Sequence, residues 1–173
     1  WGGNLDGQLG DGTTVESLLP VAVQGLGSSV FAVSAGATHT CALVGDAGTG
    51  GGVKCWGSNV WAQLGDHTDI SRLLPVDVVG LSTGVRAVAA ADEYTCALTT
   101  GGGVKCWGRG IEGQLGDGAS KTRSLPVDVK GLTSGVTAIA ASTTSGRTCA
   151  LTAAGAVKCW GERVGPEPVD MTG

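Results

Sequence analysis

A unit of slightly more than fifty residues repeats along the chain and constrains its fold more than any other feature. The dipeptide Trp-Gly begins at Trp1, Trp56, Trp107 and Trp160, so successive copies lie 55, 51 and 53 residues apart. A period of this size favours propeller blades over helical solenoids. We therefore divide the 173 residues into units at 1–55, 56–106 and 107–159, followed by a partial unit at 160–173.

Each unit is predicted to form four short strands and almost no helix. In the stretch 85–129 the apolar segment VRAVAA indicates an inner strand covered on both faces, and YTCALT with GVKCWG indicates a hairpin. The segment LPVDV begins with proline, which suits a strand start or a sheet edge, and LPVAV at 19–23 and PVDM at 168–171 match it. Glycine, which occurs 32 times, interrupts every candidate helix. These patterns predict an all-β fold.

All six cysteines belong to the repeat, with two in each hairpin. In CALTAAGAVKC, pairing Cys149 opposite Cys159 leaves a three-residue loop that ends in Gly155, where glycine is favoured. Directly opposed residues at a non-hydrogen-bonded site lie about 4.5 Å apart at Cα, which a disulfide tolerates. We predict the bridges Cys41–Cys55, Cys96–Cys106 and Cys149–Cys159, because only this pairing repeats from unit to unit.

The predicted bridges indicate an oxidising environment, so the expected location is extracellular or at the cell surface. A zinc site is a weaker interpretation, because zinc ligands usually stand two to four residues apart along the chain. A redox-active pair is weaker still, since no Cys-x-x-Cys sequence occurs.

Charge and hydropathy exclude several classes of partner. The formal net charge is −4 and no run of Lys or Arg occurs, so nucleic acid is not expected as a partner. No apolar stretch has the length of a membrane-spanning helix, so membrane insertion is not expected. The chain opens without Met or a signal peptide, inside a motif that returns at Trp107, which indicates a piece of a longer protein.

The sequence offers no residues for catalysis, cofactor binding or metal binding. His39 and His67 are the only histidines, and neither stands in a G-x-S-x-G, H-E-x-x-H or paired-carboxylate pattern. Asp11, Asp66 and Asp117 supply one carboxylate per repeat, which indicates turn capping rather than a calcium loop. We therefore expect no enzyme, no cofactor and no metal.

Variable positions within the repeat form the candidate binding surface. His39, Tyr94 and Arg147 occupy one equivalent position in the three units, and residues 142–146 contain an insertion. Trp61 stands in a predicted surface turn, where an exposed indole can anchor a partner. Three other tryptophans of the repeat, Trp56, Trp107 and Trp160, each follow a cysteine on a central strand and are expected to pack within the fold.

The stretch CALTTGGGVKCWGRGIEGQLGDG, residues 96–118, resembles the RCC1 repeat family. The resemblance covers the whole chain and is closer to bacterial, secreted members described as alpha-tubulin-suppressor-like, in which paired cysteines bracket the hairpin turn. It implies four-stranded antiparallel blades in a β-propeller, usually of about seven blades. Three units and a remnant cannot close such a ring, and the last unit lacks GQLGDG, so we expect a segment of a larger propeller.

The function expected from these features is non-enzymatic. We expect an extracellular protein-binding or scaffold module, with self-assembly into a surface adhesin or fibre as a subsidiary form. The resemblance also implies an alternative, a guanine-nucleotide-exchange-factor-like regulator of a small GTPase, which three disulfides disfavour. A secreted enzyme inhibitor is a further alternative, although no residue selects an enzyme target.

Overall fold

The computed structural model describes residues 1–171, which contain twelve β-strands. No helix occurs in this part of the chain, which confirms the predicted all-β fold. Accordingly, these residues include no helix that is long and apolar enough to cross a membrane. The last two residues of the predicted partial unit lie outside the described residues.

The strands form three four-stranded antiparallel meanders, which we call the first, second and third blades. One residue pair, Gly51 opposite Val85, joins the first two blades into an eight-stranded sheet, and the third blade is a separate four-stranded sheet. The first contains β1 (Val30–Ala35), β2 (His39–Asp46), β3 (Gly50–Gly57) and β4 (Arg72–Asp77). The second contains β5 (Val85–Ala90), β6 (Tyr94–Thr99), β7 (Val104–Gly108) and β8 (Arg123–Asp128). The third contains β9 (Val136–Ala141), β10 (Arg147–Thr152), β11 (Val157–Gly161) and β12 (Gly165–Asp170). The units that begin at Trp56 and Trp107 therefore each contribute the last strand of one blade and the first three strands of the next.

The hairpin between the second and third strands of each blade has the predicted register. Cys149 lies opposite Cys159, and Leu151 lies opposite Val157, which centres the turn on Ala154. Gly155 has a φ of 83° and its counterpart Gly102 a φ of 78°, so glycine supplies the left-handed residue that this turn requires. The strand β12 also confirms that PVD near the end of the chain pairs as a fourth strand despite the shortened loop before it.

The segment LPVAV at 19–23 does not form the predicted strand. In the first blade, β4 pairs with β3 through Gly57 opposite Arg72, and through two further pairs that involve Lys54 and Cys55. The equivalent of the first pair is present as a single bridge between Gly2 and Ser17. The equivalents of Lys54 and Cys55 would precede Trp1, so this segment has no strand to pair with among the described residues.

The first strands of neighbouring blades lie side by side, as expected for inner strands, but only β5 has a blade on each side. Val88 of β5 packs into the core between the first and second blades. Its counterpart Val33 of β1 is 68% exposed, because no blade covers that side of β1. The prediction that these strands are covered on both faces is therefore wrong for β1 and β9, which end the row.

The cores lie between blades. Leu43 and Val53 of the first blade pack against Trp107 of the second, and Leu98 and Val104 of the second pack against Trp160 of the third. These four aliphatic side chains are at most 1% exposed. The equivalent residues of the third blade, Leu151 and Val157, are 41% and 42% exposed because no blade follows them. Each blade therefore buries one face against its successor, and the third blade leaves that face open.

The connections are sorted onto two opposite ends of the strands. The turn between the first two strands of a blade lies beside the loop between its last two, as shown by the hydrogen bond from the Arg109 amide to the Glu93 carbonyl at 2.9 Å. We call this end the loop face. It comprises residues 1–17, 57–72 and 108–123 together with the shorter segments 36–38, 91–93, 142–147 and 161–165. The hairpin turns that join the two cysteine-bearing strands of each blade lie at the other end.

Candidate functional site

The three predicted disulfides are present, and each staples the two central strands of one blade. They join Cys41 to Cys55, Cys96 to Cys106 and Cys149 to Cys159, with Cα atoms 4.1 Å apart in every case. The described residues contain no free cysteine, and no group of three or more His, Cys, Asp or Glu side chains among them could hold a metal ion. The cysteines are structural residues of the blades.

The three aspartates of the repeated loop cap turns, as predicted. One carboxylate oxygen of Asp11, Asp66 and Asp117 accepts a hydrogen bond of 3.0 Å from the backbone amide two residues later. The bond from the Thr13 amide is the main reason why the pKa of Asp11 is lowered. Burial opposes ionisation of Asp66, but hydrogen bonds from Thr68 and Arg72 outweigh it, so that its pKa is also lowered.

Two residues of the predicted contact surface are instead buried between blades. His39 is 1% exposed and lies 2.8 Å through Nε2 from the Thr95 hydroxyl of the second blade. Tyr94 is also 1% exposed, and its hydroxyl donates to the Arg147 carbonyl of the third blade at 2.8 Å. The prediction that His39 and Tyr94 form a contact surface is therefore wrong, because this position of each blade bonds to the next blade.

The hydroxyl groups at these joints also connect to the tryptophans. Thr95 Oγ1 donates to the Gln63 carbonyl at 2.8 Å, and Trp107 Nε1 donates to the same carbonyl at 2.9 Å. Because the Thr95 proton is used there, His39 must donate through Nε2, which leaves its buried Nδ1 without a partner in the described chain. Burial lowers the pKa of His39 to about 4 and raises that of Tyr94 to about 12. The predicted packing role of Trp107 is confirmed.

Arg147, the third residue at this position, is exposed because no blade follows the third one. Its guanidinium lies 3.4 Å from the Glu162 carbonyl, beside the insertion at 142–146 on the loop face. The hydroxyl groups of Ser142 and Ser145 are hydrogen-bonded to each other at 2.9 Å, which orders that insertion. Arg147 and the insertion remain available for contacts, whereas His39 and Tyr94 do not.

Trp61 lies on the loop face at the joint between the first and second blades, where it is partly buried. The Arg109 guanidinium carbon stands 5.4 Å from the centroid of the indole ring, within the range of a cation–π interaction. Arg109 also forms ion pairs with Glu93 at 3.2 Å and with Glu112 at 2.5 Å. Val60, next to Trp61, is 65% exposed. We call Val60, Trp61, Glu93, Arg109 and Glu112 the Trp61 cluster.

The three copies of the repeated loop allow a direct comparison at this site. Trp61-Ala62-Gln63 replaces Asp6-Gly7-Gln8 in the preceding copy and Glu112-Gly113-Gln114 in the following one. Gly7 and Gly113 have φ values of 82° and 79°, and Ala62 is held at 61° in the same left-handed region. A non-glycine residue there costs about 1 to 2 kcal/mol. His67, at 66°, likewise stands where the other copies have Gly12 and Gly118.

The hydrogen bonding of the glutamine in this loop also differs between the copies. Gln114 is 1% exposed, and its Nε2 donates to the Glu112 carboxylate at 2.8 Å. Gln63 is fully buried, and its Oε1 accepts from the Trp61 amide at 2.9 Å, but its Nε2 has no partner among residues 1–171. The Arg109 Nε atom is unpartnered there as well. A buried donor without a partner costs about 1 to 3 kcal/mol.

Of this cluster only Trp61 is evident from the sequence as a candidate contact residue. Ala62 and His67 could have been found by aligning WAQLGDH with GQLGDG, since both replace glycines that the turn requires. Arg109 and Glu93 could not have been found, because they come from a different blade and reach Trp61 only through the packing of two blades.

Comparison with known proteins identifies the repeat. The model of the regulator of chromosome condensation (RCC1) repeat matches residues 1–43, 51–98 and 102–151, and a second model of the same repeat matches 85–114. The chain belongs to the RCC1 repeat family. The predicted membership in the RCC1 repeat family is confirmed, and the three blades are blades of an RCC1-type propeller.

Relatives share the repeat within much longer chains. The ultraviolet-B receptor UVR8 of Arabidopsis thaliana is 34% identical over 134 residues, which are 76% of this chain and 30% of that protein. Alsin of Mus musculus is 36% identical over 100 residues, which are 57% of this chain and 6% of that protein. The chain thus spans less than a third of the length of these relatives, which come from a plant and a mouse.

Solved structures agree with a partial propeller. Human WBSCR16 superimposes on all of this chain with a TM-score of 0.83 and 26% sequence identity, and the chain covers 47% of that structure. Yeast RCC1 (Prp20), in its complex with Kap60, gives a TM-score of 0.81 at 20% identity, with 44% of that chain covered. At that identity the likeness to yeast RCC1 shows the fold alone.

Proposed function

We propose that this chain is a non-enzymatic, extracellular protein-binding part of a larger RCC1-type propeller, and that the Trp61 cluster is its contact site. The observation that carries the proposal is the concentration of unfavourable features in one of three equivalent loops. Ala62 and His67 take left-handed conformations, Gln63 keeps an unpaired buried amide, and Trp61 remains partly exposed. Departures from local folding rules of this kind are expected at functional sites.

A protein partner suits the chemistry of the cluster. Tryptophan and arginine are the residue types that dominate binding energy at protein interfaces, and here they stack on each other beside the exposed Val60. A partner that covers Trp61 would remove the remaining indole surface from water.

The polar pair that most resembles catalytic machinery supports a non-enzymatic function. His39 and Thr95 are in hydrogen-bond contact, as a base and a nucleophile would be. Both are at most 1% exposed, and the Thr95 proton is directed to the Gln63 carbonyl, so no substrate can reach the hydroxyl. The pair holds two blades together.

The three disulfides support an oxidising location and therefore an extracellular protein. The same bridges disfavour the alternative of an intracellular exchange factor. A secreted enzyme inhibitor would be one form of the proposed protein binding, and its target enzyme would be the partner.

The test is photo-cross-linking from the proposed site. A photoreactive amino acid replaces Val60, which is exposed, and in a control protein it replaces Val79, which is 47% exposed but lies away from the loop face. Both proteins are exposed to the secreted fraction of the source organism. A partner should be captured from position 60, should be lost when Trp61→Ala is added, and should be absent from position 79.

Capture that is equal at both positions, or unchanged by Trp61→Ala, would overturn the proposal. Circular dichroism and the unfolding midpoint must show that Trp61→Ala still folds. If it does not, Trp61→Phe replaces it, because phenylalanine keeps most of the packing and lacks the larger indole surface.

A further inference from the structure

Negative charge is concentrated on the loop face. This face holds ten of the 15 acidic residues but six of the 11 basic ones, so the rest of the chain carries five of each sign. The acidic residues of the loop face are Asp6, Asp11, Glu16, Asp66, Asp69, Asp92, Glu93, Glu112, Asp117 and Glu162. The net charge of −4 therefore lies entirely at this end of the blades.

The charge is also uneven along the loop face. Up to Glu112 its only basic residues are Arg72 and Arg109, and both are paired, Arg72 with Asp66 and Arg109 with two glutamates. Asp6, Asp69 and Asp92 have no basic partner among the described residues. The loops on either side of Trp61 therefore present unneutralised carboxylates to a partner.

Apolar residues repeat on the same face. Leu5, Val60 and Ile111 occupy one equivalent position in three successive loops, and they are 88%, 65% and 47% exposed. Each stands directly before the position of Asp6, Trp61 or Glu112. The loop face thus carries a row of three apolar tips, with a carboxylate beside the outer two and an indole beside the middle one.

We infer that the partner presents an extended basic segment with interspersed apolar residues, which lies along these three tips. This inference rests on the proposed function, because it names the chemistry of the partner at the Trp61 cluster. Complementary charge speeds association and excludes acidic partners, while the apolar residues contact the tips. Arg109 covers part of the indole, and a basic side chain of the partner can occupy the rest through a second cation–π contact.

The first experiment measures binding of two labelled probe peptides by fluorescence anisotropy. One peptide repeats the triplet Arg-Leu-Ser, and the other has Glu in place of Arg. The Arg peptide should bind at least about tenfold more tightly, and its affinity should fall as salt is added because exposed charges are screened. Equal binding of the two peptides, or affinity that does not change with salt, would overturn the inference.

A matched pair of variants locates the binding. Asp6→Asn with Asp69→Asn neutralises two unpaired carboxylates of the loop face. Asp77→Asn with Asp128→Asn changes the net charge equally near the opposite end, where these residues pair with Lys54 and Lys105. The first double variant should weaken Arg-peptide binding about threefold or more, because two exposed charge pairs, each weak by itself, are lost. The second should leave it unchanged, and equal effects of the two would contradict binding at the loop face.

The outcomes separate this inference from the proposed function. If a partner cross-links at position 60 in a Trp61-dependent way but its binding is insensitive to salt and to Asp6→Asn with Asp69→Asn, the contact site stands and the basic segment is wrong. If no Trp61-dependent partner is captured and the Arg peptide does not bind, both fail.

Discussion

The open face of the third blade allows the contribution of blade packing to be measured within one chain. Leu98 and Leu151 occupy the same position in the second and third blades, but Leu98 is 1% exposed and Leu151 is 41% exposed. Leu98→Ala removes a side chain that is enclosed by Val104, Trp160 and their neighbours, and it leaves a closed cavity. We expect it to lower the free energy of unfolding by about 3 to 4 kcal/mol.

Leu151→Ala makes the same chemical change on a surface that is already open. Because nearly half of this side chain is in contact with water, the removed groups lose only part of their transfer free energy, and no closed cavity is left. The expected loss is about 1 kcal/mol, so the two variants should differ by about 2 to 3 kcal/mol. Val104→Ala and Val157→Ala, at 0% and 42% exposure, form a second pair that should rank in the same order.

The assay is equilibrium unfolding in urea, followed by the fluorescence of the buried tryptophans Trp56, Trp107 and Trp160. Sedimentation at the same protein concentration records whether the chain is monomeric. Equal losses for Leu98→Ala and Leu151→Ala in a monomer would refute the reasoning, because they would mean that blade-to-blade packing does not determine the cost. Equal losses in an oligomer would place a second chain on the open face.

Three further predictions concern stability. The pKa of His39 is about 4 in the folded protein and 6.5 when unfolded, so the unfolded state binds the proton first. The free energy of unfolding should therefore fall by on the order of 3 kcal/mol as the pH drops from 6.5 to 4. Denaturant titrations at several pH values should show that His39→Gln flattens this dependence, and an unchanged dependence would contradict the buried neutral imidazole. Gly65→Ala would place a Cβ 2.6 Å from Trp107 Nε1, whereas the control Gly80→Ala meets no atom within 4 Å, and both glycines have φ near 70° to 80°. Thermal unfolding should therefore show a clearly larger loss of stability for Gly65→Ala. Similar losses of stability for the two variants would contradict the close packing of Trp107. Each disulfide closes a short loop, so replacing Cys96 and Cys106 together by Ala should lower the free energy of unfolding in urea by about 2 to 3 kcal/mol. The double replacement of Cys149 and Cys159 by Ala, which opens a loop of the same length, is the comparison.

The sequence was sufficient to predict the parts of the fold that depend on local geometry. The register of the hairpins follows from the position of Gly102 and Gly155, and that register alone brings the cysteine pairs together. The failure of LPVAV to form a strand shows the limit of such patterns. The nearly identical segment LPVD forms part of a strand at 125–128 because β7 is beside it, whereas 19–23 forms none because no equivalent of β7 lies beside it among the described residues.

The candidate site was less predictable, because its partners come from two blades. Trp61 could be singled out by its departure from the repeat, but its stacking on Arg109 depends on how the first blade packs on the second. The burial of His39 has the same origin, since Thr95 reaches it across that joint. Sequence periodicity describes each blade well, whereas it carries little information about which side chains meet between blades.

Variation within a repeat is therefore not by itself evidence of a binding site. His39, Tyr94 and Arg147 differ in every blade, yet the first two differ because each is fitted to the blade that follows. The loop containing Trp61 is different in kind, because its departures leave costs that nothing in the described chain offsets: the left-handed Ala62 and the unpaired Gln63 amide. Copies of the same loop that avoid both costs lie on either side of it. A free-energy cost that occurs in one copy of a repeated loop and not in its neighbours is a stronger sign of function than sequence variation alone.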